Sequence, residues 1–181
     1  MLEPLALRLR LMVARAVIEL VDDAAKMQLL QLSLMGDEVR DAVERLQQYG
    51  FTSVPLEGAE AIALAVGGNR NHLVVIATDD RRWRKKDLEP GESALYTDEG
   101  DYVILKRGRI VEIKAGTKLR VDAPLAELTG DLTVAGKITA GGDVFDQNGA
   151  KSMAGMRTVY NTHVHVDPQG GSTAAPTPPL M

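Results

Sequence analysis

Two of the chain's three histidines, His163 and His165, stand one residue apart in the terminal run MRTVYNTHVHVDPQGGSTAAPTPPLM. In a β-like stretch residues i and i+2 share a face, so the two rings project side by side, about 6.5–7 Å apart at their backbones. Imidazole is a ligand for zinc, copper, iron and nickel. Two ligands hold a metal poorly, and no cysteine or further histidine stands near the pair. Metal chemistry here needs something to complete the site, since HxH patterns also arise by chance.

Other chemistry is thinly represented. The sequence contains no GxSxG, no phosphate-binding GxxxxGK[ST], no GxGxxG and no HExxH. Asp79-Asp80 and Asp98-Glu99 could be paired carboxylates of a glycosidase, but both sit in turn-like contexts where acidic side chains commonly cap and bend the backbone. His72 follows NRN in a hairpin turn, a place for a solvent-facing residue rather than a base. The run RRWRKK at 81–86 could grip single-stranded nucleic acid, with Trp83 stacking on a base. One aromatic, and a chain whose net charge is −4, make that grip weak. With no cysteine at all, disulfides, thiolate catalysis and zinc–thiolate sites are excluded.

The elements that must carry the histidines have an unusual composition. Hydrophobic residues are 45% but aromatics only 4%, so any core is built from Ala, Val, Leu and Ile. No apolar run reaches the ~18 residues of a membrane-spanning helix. Arginines inside the first apolar stretch argue against a secretion signal, and synthesis and folding in a cytoplasm are expected. Leu2, Leu5, Leu9 and Met12 recur at helical spacing behind Pro4, which predicts a short helix over residues 3 to about 13. Ala14, Ala16, Ile18 and Leu20 then alternate, Asp22-Asp23 breaks the run, and a second β-like run follows, a hairpin signature. GDEVRDAVERLQQYGF is ambiguous between helix and irregular chain. Ile62, Leu64 and Val66 alternate, GGNRN turns, and Leu73–Ala77 returns as an apolar strand. Four or more strands in so small a unit fit a compact barrel of the OB type.

After Tyr96 the texture changes. Val111, Ile113, Ala115, Leu119, Val121, Ala123 and Leu125 hold odd positions, with Thr117 the one polar member of the series. The phase slips near Ala126-Glu127, and Leu128, Leu132, Val134, Ile138, Ala140 and Val144 continue on even positions. Period-two alternation kept up this long is a strand signal. No helix covers the apolar face, and roughly sixty residues of this kind are marginal alone. Copies of the chain supplying one another's missing sheets, as an intertwined β-prism or β-helix, are the economical answer. Three parallel copies would bring six imidazoles to one point. Zinc usually settles for four ligands, whereas six nitrogens suit iron(II), nickel or cobalt, with cellular availability favouring iron. The proline-rich tail loses little freedom on ordering and could wrap back over such an end.

The block YGFTSVPLEGAEAIALAVGGNRNHLVVIATDDRRWRKKDLEPGESALYTDEGD resembles the central spikes (baseplate assembly protein V) of Mu-like contractile-tailed bacteriophages, and the terminal HVHVDPQGG resembles that family's tip motif. The likeness runs from about residue 14 onward. It implies a mostly β protein organised as an N-terminal helix over 1–13, an OB-fold baseplate-docking domain over 14–95, a trimeric β-helix spike over 96–159, and a tip with a proline-rich cap over 160–181. It implies one iron ion per homotrimer, held by His163 and His165 of three chains, with Asp167 and Pro168 beginning the cap. Calcium or chloride in the needle is also implied, at positions the likeness does not map. The implied partners are the chain itself, the baseplate hub and tail tube, and, transiently, the host outer membrane, which the spike breaches when the sheath contracts. No nucleic acid is expected. The implied location is the virion's tail baseplate, after assembly in the host cytoplasm. The protein is expected not to be an enzyme. The alternatives are an OB-fold single-stranded nucleic-acid-binding protein with a β-structured oligomerisation tail, and a β-helical polysaccharide-degrading enzyme using acidic residues.

Overall fold

The computed structural model describes residues 12–36, 38–166 and 168–176. The helix expected near the start lies outside the described residues up to position 11, and Val13 already opens a strand. The chain divides into two compact units between Arg120 and Val121.

In the first unit five strands close a barrel: β1 (Val13–Asp22), β2 (Gln28–Ser33), β3 (Val39–Arg45), β4 (Glu60–Ala65) and β5 (Leu73–Asp79), in the order β1-β2-β3-β5-β4. β1 pairs antiparallel with both β2 and β4, and β3 runs parallel to β5. That order fits the OB type of barrel. Both expected hairpins are present, β1–β2 and β4–β5.

Three details depart from the alternation read in the sequence. In β1 the register shifts between Ile18 and Leu20, so Ile18 is fully buried while Leu20 is 60% exposed. A bulge inserts one residue and reverses the faces beyond it. In β4 the side facing the core is Ala61, Ala63 and Ala65, not Ile62 and Leu64. A narrow barrel already filled by Ile18, Leu30, Leu32 and Val75 has room only for methyl groups on the fifth wall. The ambiguous segment after Gly36 holds a strand, β3, in which Val43 is buried and Val39 exposed, and Leu46 just beyond it is exposed too. A place in a closed ladder between β2 and β5 outweighs weak helical spacing.

One end of the barrel is held by a buried cation. Arg45 Nη1 donates to Gln28 Oε1 (2.7 Å) and to the Ser53 carbonyl (2.6 Å). Its Nη2 donates to Ser53 Oγ (2.9 Å) and Thr78 Oγ1 (2.8 Å). Gln28 in turn donates to Asp23 at 2.6 Å. Burial lowers the proton affinity of Arg45, and the nearby Asp23 charge opposes that shift. The network ties β2, β3 and β5 to the stretch LQQYGFTSVPL at 46–56, which has no charged residue and leaves Tyr49 and Phe51 exposed.

Beyond the barrel the first unit has a three-stranded meander: β6 (Ser93–Tyr96), β7 (Tyr102–Lys106) and β8 (Ile110–Lys114). The register sets Leu95 beside Val103, Val103 beside Ile113 and Leu105 beside Val111, so these five share one face. Leu95, Leu105, Val111 and Ile113 on that face are each 53–60% exposed. The opposite face is occupied: Tyr102 Oη donates to Glu112 at 2.6 Å, Lys106 pairs with Glu112 at 2.9 Å, and Lys85 lies 4.4 Å from the Tyr102 ring centre. Among the described residues, 115–144 form neither strand nor helix within one chain.

Removing the buried cation should be costly, because Gln28, Ser53 and Thr78 would lose their shared donor. Arg45→Met is expected to destabilise the barrel by about 2–4 kcal/mol, lowering the urea midpoint followed by circular dichroism. An unchanged midpoint would show the network to be idle.

Candidate functional site

The second unit builds the surroundings of the histidine pair. A short hairpin, β9 (Phe145–Asp146) and β10 (Lys151–Ser152), runs directly into helix α1 (Met153–Thr162). Ser152 caps the helix, its Oγ accepting from the Gly155 amide at 3.0 Å. Asp143 accepts from the amides of Val144 (2.8 Å) and Ala154 (3.1 Å). Its carboxyl is held below the ordinary 3.8, first by the Ser152 hydroxyl and then by the Ala154 amide. The helix was not read from the sequence, although Ser152 as a cap and Met153, Met156, Tyr160 and His163 at spacings of three and four signal it. The backbone before the histidines is therefore helical, while His163 itself is extended, with φ −66° and ψ 146°.

The two rings do stand together. Their centres are 5.0 Å apart and their planes meet at 86°. His163 is half-buried at the helix end, and its Nδ1 lies 2.5 Å from the Tyr160 carbonyl oxygen. A carbonyl only accepts, so Nδ1 carries the proton and the Nε2 lone pair is left for a ligand. The Tyr160 ring packs beside it, 5.4 Å between centres. His165 is exposed and its backbone pairs with Thr173. Asp167 lies outside the described residues. One imidazole whose Nδ1 is turned to a carbonyl, and a second beside it, are a fitting donor pair for a borderline metal. They are too few for one chain: among the described residues no group of three or more His, Cys, Asp or Glu converges.

The other candidates resolve into structure. Asp80 is bound to Arg82, which lowers its carboxyl's pKa, and Asp79 accepts from the Asp80 amide. Asp98 and Glu99 sit in the turn closed by Thr97 and Asp101. His72 donates its amide to the Asn69 carbonyl in the β4–β5 turn. The basic run is largely engaged within the chain. Arg81 pairs with Glu60 and Lys85 covers Tyr102. Arg82 also donates to the Glu57 carbonyl, passing close to Gly58, whose φ of +83° and lack of Cβ permit the approach.

An open groove of about 830 Å³ runs along α1, lined by Phe145, Met153, Met156, Val159 and Tyr160 among others. It is an apolar surface that the described part of the chain leaves uncovered.

A small closed barrel is thus followed by an extended apolar stretch without internal cover and an HxH end, an arrangement of structural rather than site-bearing elements. Comparison gives the family. The sequence model described as "Bacteriophage Mu Gp45, N-terminal" matches residues 15–82. The chain is 41% identical over 184 aligned residues to the baseplate puncturing device gp45 of Escherichia phage Mu, covering 96% of this chain and 92% of that protein. It is 38% identical over 150 residues to the Mu-like prophage FluMu protein gp45 of Haemophilus influenzae, covering 76% and 82%. The chain belongs to the Mu gp45 family.

Ser152→Ala should cost α1 about 1 kcal/mol, seen as faster hydrogen exchange at the Gly155 amide. Asp143 has a depressed pKa, so its support is fully present above the ordinary 3.8 and is lost as pH falls through the lower folded value. The Ala154 amide signal should therefore move on acidification below that point, and Asp143→Asn should abolish the transition.

Proposed function

We infer that this chain is the central spike of a contractile phage-tail baseplate, a homotrimer that breaches the host outer membrane when the sheath contracts. One observation carries the reading. Leu119, Val121, Leu125, Leu128, Leu132, Val134 and Ile138 alternate along a stretch with no secondary structure of its own and are 43–76% exposed. At about 25 cal/mol per Å² such surface is costly to leave wet, and copies of the same chain are the partners that match its period. The apolar face of β6–β8 and the groove along α1 need the same cover. A β-helix of three chains supplies it and leaves few strand edges to fray. The name of the phage Mu relative, a baseplate puncturing device, supports the role.

In this reading the barrel docks the spike to the baseplate hub at the end of the tail tube, in the virion, after assembly in the host cytoplasm. The uncharged 46–56 loop, with Tyr49 and Phe51 exposed, is the surface it offers. His163 and His165 of three copies hold one iron ion, which cross-links three chain ends that would otherwise open first. The donor tautomer set by the Tyr160 carbonyl suits this use. A device that works by force depends on how slowly it unfolds, and tying its ends addresses that.

Sedimentation with metal analysis tests the reading. The expected result is a trimer with one iron per three chains; a well-folded monomer without metal overturns it. His163→Ala combined with His165→Ala should leave the trimer assembled and remove the metal, because the apolar alternation carries the association. Monomers in that variant would show the division of roles to be wrong.

A further inference from the structure

The two histidines are fixed by different means. His163 is held through its ring, by the last turn of α1. His165 lies beyond the helix, and among the described residues what holds it is backbone. Its amide donates to Thr173 Oγ1 at 2.9 Å, and its carbonyl accepts from the Thr173 amide at 2.9 Å. Val166 bridges Ser172 in the same antiparallel sense. The chain thus doubles back between these residues through a turn in which Gly170 has φ +90°, a conformation that side chains with a Cβ rarely adopt.

We propose that Thr173 is a positioning residue for His165: its hydroxyl and amide clamp both polar groups of the His165 backbone and so aim the imidazole beside that of His163. The inference rests on the metal reading given above and adds a residue that the HxH motif does not contain. The clamp preorganises the ligand. A ligand on a free end must be ordered each time the metal binds, and one fixed beforehand is not. Partners that orient a metal-bound histidine commonly change metal affinity 10–100-fold when removed. The clamp uses a side-chain oxygen where a plain ladder would use a carbonyl, so it can be removed without touching the backbone.

The test uses the full chain loaded with iron(II) under anaerobic conditions and challenged with 2,2′-bipyridine, with the trimer checked by sedimentation. Thr173→Val, which keeps the branched shape and loses the hydroxyl, should release iron about tenfold faster than the parent. Thr173→Ser should restore slow release. Gly170→Ala, which strains the turn from its other side, should also accelerate release. In the metal-free protein, the His165 amide should exchange faster in Thr173→Val than in the parent. Equal release rates and equal exchange in intact Thr173→Val trimers overturn the inference alone. A parent trimer that takes up no metal overturns the metal reading, and the inference with it.

Discussion

Apolar burial is unevenly achieved along this chain, and most of its other properties follow from that imbalance. The barrel satisfies itself: Ile18, Leu30, Leu32 and Val75 are almost wholly removed from water, and alanines line the remaining wall. From β6 onward the apolar residues are arranged just as regularly, yet apart from Ile104 most of the large ones remain exposed in a single chain. In the proposed spike, that regular pattern is the surface the copies share. Charge is absent from the apolar face of the β6–β8 meander and concentrated on the opposite one, where Glu112 binds both Tyr102 and Lys106.

The polar interactions follow the same division. In the first unit a single buried arginine gathers four acceptors and secures a long uncharged loop. Its four donated bonds fix the geometry at that end of the barrel. In the second unit the polar contacts are local and exposed: Asp143 and Ser152 start the helix, the Tyr160 carbonyl ends it on His163, and Thr173 takes up His165. Each fixes direction rather than adding burial.

Much of the fold was legible in the sequence where period and punctuation agreed. The β1–β2 and β4–β5 hairpins were readable because alternation stops at Asp22-Asp23 and at GGNRN. Which face of β4 points inward was not, because Ile62 and Leu64 are the more apolar choice and only the tightness of a closed barrel selects Ala61 and Ala63. β3 was hidden because Val39, Val43 and Leu46 satisfy helical spacing, and part of the competing reason for a strand lies in β5, where Val74 pairs with Glu44. Helix α1 carried its own signals, but they were overshadowed by the β texture preceding it. Of the site, the histidine pair was plain from its spacing. Its supports were not, since a backbone carbonyl leaves no trace in a sequence and Thr173 looks like any threonine in a proline-rich tail.

The order of the barrel strands has a bearing on biosynthesis. The seam between β1 and β4 and the parallel pair β3–β5 need nothing beyond Asp79. At about 5–20 residues per second, adding residues 80–181 takes roughly a further 5–20 s. A nascent chain can thus complete its self-sufficient half while the sticky half is still being made, which shortens the interval in which naked apolar strands meet the wrong neighbour.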